Sequence, residues 1–243
     1  MGIDLDLAGR VAVVTGGSRG IGRATCLALA AHGARVGVHY FRSGALAEEV
    51  AREIRSGGGE AVTLPGNLLE PEAAGRVIAG AEKALGPVDI LINGAGGNHP
   101  KGTTSLEYLR KEDLAGTAKE LVTFYDLDPK GIEFVFNLNF LGTFLPTQVF
   151  SKDMVAKGRG NIINISSMNA FRPLTKIPAY SAAKAGVSNF TQWLAVHFSK
   201  VGVRVNALAP GFFLTDQNRS LLTQPDGSLT AAATPRSAAS GTT

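Results

Sequence analysis

The stretch R-V-A-V-V-T-G-G-S-R-G-I-G, residues 10–22, decides the fold of this chain. A short β-branched run leads into a turn with spaced glycines and then into an Ala-rich stretch of helical period. Gly16, Gly20 and Gly22 suit a tight turn, close approach of the backbone to a diphosphate and close packing of helix on strand. This strand–turn–helix context predicts a nucleotide-binding site, although the spacing differs from G-x-G-x-x-G.

The alternation of strand and helix continues along the chain. Apolar, β-branched runs separated by Ala-rich amphipathic stretches are typical of a parallel sheet covered by helices on both faces. The predicted fold is therefore a single doubly wound α/β domain. The predicted strands are 10–15, 35–40, 61–64, 88–92, 161–165 and 204–209, and the predicted helices are 20–32, 44–56, 71–84, 131–157 and 179–200.

Composition excludes several classes of protein. With 243 residues, 44% of them hydrophobic, the chain can bury a sizeable core. Its net charge is +4, but the sequence has no run of basic residues that would indicate nucleic-acid binding. Its single cysteine, Cys26, allows no internal disulfide and lies in an apolar helical run, which predicts buried packing rather than catalysis. No Cys/His/Asp cluster has metal-ligand spacing, so no metal is expected.

Targeting signals are not evident in the sequence. The start M-G-I-D-L-D lacks a basic region followed by a long apolar region, and the apolar runs have the length of strands rather than of membrane spans. The expected location is the cytoplasm.

Two segments interrupt the strand–helix rhythm. Residues 97–130 form a long charged connection, and connections of this length inside a domain are usually lids or binding loops. Residues 231–243 have no periodicity and few large apolar side chains, so they are predicted to be a disordered tail. The predicted nucleotide-binding domain is 1–230, with 97–130 as an inserted loop region.

The end of the second predicted strand bears on the choice of cofactor. A site selective for NAD usually places a carboxylate there to bind the ribose 2′-hydroxyl. The sequence H-Y-F-R-S, residues 39–43, has none, but it supplies Arg42, and Arg19 lies in the glycine turn. Two guanidinium groups suit a 2′-phosphate, so NADP(H) is favoured and NAD(H) is the alternative. Solvated surface arginines are the other interpretation.

The stretch A-Y-S-A-A-K, residues 179–184, places Tyr180 and Lys184 on one face of a helix. A phenol has a pKa of about 10 and donates a proton poorly at neutral pH, whereas an adjacent ammonium stabilises the phenolate and lowers that pKa. The pair is a candidate proton donor with its cation. By itself the spacing also suits a solvated lysine beside a half-buried tyrosine.

Taken together, these motifs resemble the short-chain dehydrogenase/reductase family. The resemblance covers residues 8–215 and implies a Rossmann-like sheet with strand order 3-2-1-4-5-6 and hydride transfer between NADP(H) and a carbonyl or secondary alcohol. The motifs that carry it, in order, are T-G-G-S-R-G-I-G (15–22), N-G-A-G (93–96), N-F-L-G-T-F (139–144), I-S-S (165–167), the Tyr180/Lys184 pair and P-G-F-F-L-T (210–215).

The resemblance also implies roles for individual residues. Tyr180 would donate the proton, Lys184 would tune it and bind the nicotinamide ribose, and Ser167 rather than Ser166 would bind the carbonyl oxygen. Asn139 would hold a water in a proton path, or it would be a structural residue that kinks its helix. The implied cofactor-binding residues are Gly16, Ser18, Arg19, Ile21, Gly22, Arg42, Asn67, Leu68, Asn93, Ala95, Gly96, Tyr180, Lys184, Pro210, Gly211, Phe213 and Thr215.

Within the family, the chain is most similar to the D-mannonate (fructuronate) oxidoreductase branch, through I-S-S-M-N-A-F-R-P-L-T-K-I-P-A-Y-S-A-A-K and the long segment 97–130. A sugar acid is therefore the expected substrate, with a generic ketone or a 3-oxoacyl thioester as the alternative. The candidate substrate residues are Asn98, Asn169 and Arg172, and Lys101, Lys176 and His99 are further cationic or switchable groups near them.

The family pattern departs near the end of the chain. Family members continue well beyond P-G-F-F-L-T, whereas this sequence changes composition after D-G-S-L-T-A, residues 226–231, as a truncation or frame shift would produce. The seventh strand of the family is therefore expected to be missing, which leaves a nucleotide-binding but catalytically impaired protein as another alternative. A homodimer through helices 131–157 and 179–200 is expected.

Overall fold

The computed structural model describes residues 5–115, 121–212, 223 and 226–228. Its strands are β1 (Val11–Thr15), β2 (Arg35–Tyr40), β3 (Ala61–Pro65), β4 (Ile90–Asn93), β5 (Gly160–Ile165) and β6 (Val203–Leu208). Its α-helices are α1 (Gly20–Ala31), α2 (Gly44–Ser56), α3 (Pro71–Leu85), α4 (Pro129–Phe136), α5 (Gly142–Ala156) and α6 (Pro178–His197). Short 3-10 turns are found at Pro100–Gly102, Lys111–Ala115, Phe124–Asp126 and Met168–Ala170.

The six strands form one parallel sheet in the order β3-β2-β1-β4-β5-β6. This confirms the predicted fold class and strand order. The chain adds β2 and β3 on one side of β1 and then β4, β5 and β6 on its other side. Ligands of such sheets bind at this switch point between β1 and β4, at the carboxyl ends of the strands.

The central strand β1 explains the layered architecture. Val11 and Val13 pack into one apolar cluster together with residues of α3, α5 and α6. Ala12 and Val14 point the other way, into a second cluster formed with α1 and α2. Successive side chains of a strand alternate between the faces of the sheet, so a strand that is apolar throughout is covered on both sides.

One predicted helix is interrupted. The stretch 131–157 contains a π-helical turn, Asn137–Leu141, between α4 and α5, and polar side chains there bond to the helix backbone. The Asn139 side chain donates to the Val135 carbonyl at 2.8 Å, and the Thr143 hydroxyl donates to the Asn139 carbonyl at 2.9 Å. Sites of this kind are often functional.

The long segment 97–130 is tied to itself and to the segment before α6. Lys101 and Asp128, near its two ends, form an ion pair at 3.0 Å and a backbone hydrogen bond at 3.2 Å. Thr104 N donates to the Lys176 carbonyl at 2.9 Å. A cavity of ≈ 150 Å³ lies within this segment and is also lined by Pro178. The segment therefore borders the start of α6.

The chain divides into two compact units, Met1–Ala209 and Pro210–Thr243. The first contains the whole six-stranded sheet. Of the second, the structure describes 210–212, 223 and 226–228. The predicted disordered tail, 231–243, and the expected absence of a seventh strand concern residues outside the described ones.

Candidate active site

The turn after β1 and the turn after β4 meet at the switch point. The Thr15 hydroxyl oxygen accepts hydrogen bonds from the amides of Gly94, at 3.1 Å, and Ala95, at 3.2 Å. Gly16 has a φ of +67°, and a Cβ there would lie 2.9 Å from Ala95 Cα. A Cβ on Gly22 would lie 2.1 Å from the Gly16 carbonyl oxygen. Backbone contacts therefore require glycine at both positions.

The N-terminus of α1 opens on the same edge of the sheet. Its first turn carries no acidic side chain, so nothing there offsets the partial positive charge of the helix end and its unpaired amides. A Cβ on Gly20 would meet no atom within 4 Å, so the start of the helix is open. Ser18 is buried, whereas Arg19 and Ile21 are exposed. This cradle fits the diphosphate of a dinucleotide.

The two predicted phosphate-binding arginines are both exposed. Arg42 lies two residues beyond the end of β2, with its guanidinium carbon 5.1 Å from the centroid of the Phe41 ring. Arg19 immediately precedes α1. Both side chains are free to turn toward a ligand at the carboxyl edge of the sheet, since neither forms an ion pair within the described part of the chain.

Three other predicted cofactor residues have side chains engaged within the protein. Asn67 Oδ1 accepts from the Leu69 amide at 3.2 Å, and its Nδ2 donates to Glu70 at 2.8 Å. Leu68 and Asn93 are 6% and 1% exposed. A cofactor would therefore contact the backbone groups of Asn67, Leu68 and Asn93 rather than their side chains.

Asn139 lies in the π-helical turn and clamps the segment after β4. Its Nδ2 donates to the Gly97 carbonyl at 2.7 Å, and its Oδ1 accepts from the Gly97 amide at 3.1 Å. A Cβ on Gly96 would lie 2.8 Å from Asn139 Oδ1 and 3.1 Å from Lys184 Nζ. Asn139 and Lys184 therefore flank the same point, and only glycine leaves room for both.

The predicted acid and its lysine are close together. Lys184 Nζ lies 5.7 Å from the centroid of the Tyr180 ring and donates to the Ile165 carbonyl at 2.6 Å. Burial lowers the pKa of Lys184 to about 8. Burial also raises the pKa of Tyr180, while a hydrogen bond with the Ser167 side chain acts to lower it.

In this structure the pKa of the Tyr180 phenol is raised overall, not lowered, because burial is the largest influence on it. The lysine is 3% exposed and bonded to a backbone carbonyl, and the phenol is largely removed from water. Desolvation therefore outweighs the effect of the neighbouring cation. A raised pKa keeps the phenol protonated at neutral pH.

The two adjacent serines have different surroundings. Ser167 Oγ accepts from the Asn169 amide at 3.2 Å and bonds with Tyr180. Ser166 Oγ donates to the Lys184 carbonyl at 3.2 Å and lies 2.6 Å from Ser188 Oγ, so it anchors α6. The structure therefore places Ser167, not Ser166, beside the phenol.

The three candidate substrate residues differ in their surroundings. Asn98 is exposed, and its Nδ2 donates to the Thr103 hydroxyl at 2.8 Å. Asn169 is 5% exposed, and its buried Oδ1 has no hydrogen-bond partner among the described residues. Arg172 is exposed and forms no ion pair with any described residue. Asn169 and Arg172 both follow Ser167 closely in the chain.

Among the other cationic or switchable candidates, Lys101 and His99 have side chains engaged within the protein. Lys101 is paired with Asp128. His99 Nδ1 accepts from the Lys101 amide at 3.2 Å, and its ring packs on Phe134 with the centroids 4.9 Å apart. The Lys176 carbonyl binds the long segment 97–130. Arg172 and the ammonium of Lys176 form no ion pair with any described residue, so both are available to a substrate carboxylate.

The remaining predicted cofactor residues belong to the second unit. Pro210 and Gly211 are described, whereas Phe213 and Thr215 lie outside the described residues. In the described part of the chain, no three His, Cys, Asp or Glu side chains are grouped as a metal site. None of the helices described there is long and apolar enough to cross a membrane.

His39, which was not among the predicted site residues, supports the glycine turn. Its carbonyl accepts from the Gly17 amide at 3.0 Å, and its Nε2 lies 3.0 Å from the Gly66 carbonyl oxygen. The side chain is 4% exposed, and burial lowers its pKa to about 4, so the imidazole is neutral at physiological pH. The available signal was a histidine inside the apolar run R-V-G-V-H-Y. Cys26 is buried, as predicted.

The chain belongs to the short-chain dehydrogenase family, whose family model matches residues 10–226. A relative from Haemophilus influenzae, an uncharacterized oxidoreductase, is 60% identical over 181 residues, which cover 74% of this chain and 62% of the relative's length. The uncharacterized oxidoreductase UxuB of Bacillus subtilis is 45% identical over 225 residues, covering 93% of this chain and 78% of that protein.

A solved structure is also closely similar. The crystal structure of a candidate D-mannonate oxidoreductase from Haemophilus influenza, with bound NAD, superposes with a TM-score of 0.86 at 50% sequence identity. The similarity covers 94% of this chain and 80% of that one.

Proposed function

We propose that this protein is an oxidoreductase that uses NADP(H) to interconvert a secondary alcohol and a carbonyl of a sugar acid, with D-mannonate and D-fructuronate as the first pair to test. The observation that carries this proposal is the convergence of Asn139, Ser167, Tyr180 and Lys184 beside the glycine turn. Membership of the short-chain dehydrogenase family supports the reaction type.

A bound nicotinamide cofactor would supply or accept the hydride. In the reduction direction, Tyr180 would donate the proton of its hydroxyl to the carbonyl oxygen as negative charge develops there. Burial, which raises the pKa of the phenol, keeps that proton in place at neutral pH. Ser167, which is bonded to Tyr180, would hydrogen-bond the same oxygen and orient it.

Lys184 would bind the nicotinamide ribose and return a proton to Tyr180 after each reduction, and it would regain that proton from solvent through a water held by Asn139. Its pKa of about 8 lets it both hold and release a proton near neutral pH. Asn139 would hold Gly97 and the turn beside the nicotinamide through its pair of bonds. All four side chains thus have separate tasks at one edge of the sheet.

The preference for NADP(H) rests on charge. The exposed Arg19 and Arg42 suit a 2′-phosphate, and H-Y-F-R-S at the end of β2 offers no carboxylate for a ribose 2′-hydroxyl. The similar candidate D-mannonate oxidoreductase was crystallised with NAD, so NAD(H) is the competing cofactor in the test.

A sugar acid is proposed because the substrate side offers a cation and an unpaired amide. Arg172 would bind the carboxylate, and Asn169, whose buried Oδ1 has no partner among the described residues, would accept from a sugar hydroxyl. Asn98 would bind a further hydroxyl. The likeness to the candidate D-mannonate oxidoreductase supports the same class of substrate.

We also propose a homodimer formed through α4–α5 and α6, which correspond to the predicted helices 131–157 and 179–200. Trp193 and Val196 of α6 are 56% and 76% exposed, and Phe134 of α4 is 43% exposed. Trp193 stacks on His197 with the ring centroids 4.6 Å apart. Exposed aromatic and apolar side chains of this kind are typical of interfaces.

The test is a turnover assay that follows the absorbance of the reduced nicotinamide. D-fructuronate, a neutral ketose and a 3-oxoacyl thioester are each supplied with NADPH or NADH. We expect the sugar acid with NADPH to have the highest kcat/KM. If only the thioester is turned over, the substrate is a 3-oxoacyl thioester and not a sugar acid. Cofactor binding without turnover would indicate a nucleotide-binding protein that is not catalytically active.

The assigned acid is tested with Tyr180→Phe, which we expect to lower kcat by about two to four decades with cofactor binding retained. Tyr125→Phe is the matched control, because Tyr125 is 70% exposed. Near-normal turnover by Tyr180→Phe would remove Tyr180 from the mechanism.

A further inference from the structure

A row of buried polar side chains crosses the sheet next to the candidate active site. Asn93 of β4 and Asn164 of β5 are partners in strand register, and Asn93 Nδ2 donates to Asn164 Oδ1 at 2.8 Å. The same Nδ2 donates to Thr147 Oγ1 of α5 at 2.9 Å, and Asn164 Nδ2 donates to Thr191 Oγ1 of α6 at 2.9 Å. We name these four residues the amide–threonine row. Each is at most 5% exposed.

The direction of every bond in the amide–threonine row is determined. The Thr147 hydroxyl donates to the Thr143 carbonyl, and the Thr191 hydroxyl donates to the Val187 carbonyl, both at 2.7 Å. Each threonine has therefore used its only proton and serves the neighbouring amide as an acceptor. Valine has the same shape but no acceptor, so it would leave a buried amide N–H unpaired.

The centre of the row lies beside the backbone that holds two catalytic candidates. Asn93 directly precedes the segment 94–97, which Asn139 clamps through Gly97. Asn164 directly precedes Ile165, whose carbonyl accepts from Lys184. A shift of β4 against β5, or of either helix against the sheet, would therefore change the separation of Asn139 and Lys184.

We propose that Thr147, Asn164 and Thr191 are positioning residues for the reaction. They hold α5 and α6 against β4 and β5, so that Asn139 and Lys184 meet on the two sides of Gly96. None of them contacts the reacting atoms; they act through Asn139 and Lys184. The kinetic part of this inference rests on the proposed function, whereas its structural part does not.

The structural test compares two substitutions at each threonine. Thr147→Val and Thr191→Val keep the shape and remove the acceptor, whereas Thr147→Ser and Thr191→Ser keep the hydroxyl and remove the methyl group. In cofactor-free protein, the titration of Lys184 is followed by NMR of labelled lysine side chains, assigned with Lys184→Arg. The titratable group that faces Lys184 in the described structure is the Tyr180 phenol, on its own helix.

We expect the valine variants to move the Lys184 titration midpoint toward the ordinary lysine value, because a loosened site admits water. The serine variants should keep the wild-type midpoint. Equal midpoints in the valine and serine variants would overturn the proposal. If a valine variant does not fold, the serine variant and the valine variant at the other threonine still decide the question.

The kinetic test measures kcat and KM for the same variants. We expect each valine variant to lower kcat about tenfold with little change in the KM of the cofactor, and the serine variants to recover most of it. Thr147→Val combined with Thr191→Val should be little worse than either alone, because the row acts as one unit. Ser151→Ala, at a buried position one turn further along α5, is the control for lost packing.

The two tests separate the two claims. If wild-type protein has no turnover but the valine variants move the Lys184 midpoint, the proposed function fails and the positioning role stands. If turnover is normal in every variant, or if the effects of the two valine substitutions on log kcat simply add, the row is only structural.

Discussion

Replacement of Lys184 by methionine is expected to change how the stability of the protein depends on pH. Lys184 is 3% exposed, and burial lowers its pKa from the ordinary 10.5 to about 8. Between these pH values the unfolded chain binds more protons than the folded protein, so the stability of the wild type rises with pH across this window. Below it, the buried lysine is destabilising because folding must displace its proton or bury its charge.

The size of the effect follows from the two pKa values. At about 1.4 kcal/mol per pH unit, the lowering to about 8 corresponds to about 3 kcal/mol near neutral pH and to about 1 kcal/mol at about pH 10. The Nζ bond to the Ile165 carbonyl, at 2.6 Å, opposes this, since methionine forgoes about 1–2 kcal/mol at every pH. We expect Lys184→Met to be more stable than wild type near neutral pH and less stable in mild alkali.

The assay is urea unfolding followed by circular dichroism at several pH values from about 7 to about 10. Other titrating groups are common to both proteins, so the difference in the free energy of unfolding isolates Lys184. That difference should change by about 2 kcal/mol across the range. Lys200→Met, at an exposed position, corrects for the loss of a positive charge. A difference that stays constant with pH would refute the reasoning about burial.

Three further changes test the site, the cofactor choice and the assembly. Gly96→Ala would place a Cβ 2.8 Å from Asn139 Oδ1 and should lower kcat about 10- to 100-fold, whereas Gly75→Ala, where a Cβ meets no atom within 4 Å, should leave kcat unchanged. Arg42→Ala should raise the KM for NADPH about tenfold and leave that for NADH unchanged, and an equal effect on both would contradict a 2′-phosphate contact. Trp193→Glu should convert a dimer to a monomer in sedimentation at micromolar concentration, and a monomeric wild type would contradict the proposed interface.

Local patterns predicted the sheet and most of the helices. The β-branched run before the glycine turn is apolar throughout, and similar runs recur along the chain. Such runs predict strands that are covered on both faces, and both faces of β1 are covered in the structure. The local pattern of 131–157 did not predict that this helix is interrupted. Its apolar pattern suits one helix, but the bond from Asn139 to the Val135 carbonyl accompanies a π-helical turn, and its bonds to Gly97 reach a residue far away in sequence.

The sequence by itself determined the fold class, the position of the cofactor turn and the identity of the candidate acid, because these depend on the order and spacing of residue types along the chain. Only the tertiary structure decided that Gly96 lies between Asn139 and Lys184, that Ser166 anchors α6 while Ser167 faces Tyr180, and that burial raises the pKa of the phenol. The physical reason is that close contacts and desolvation depend on which distant segments surround an atom, and strand order and helix packing bring those segments together.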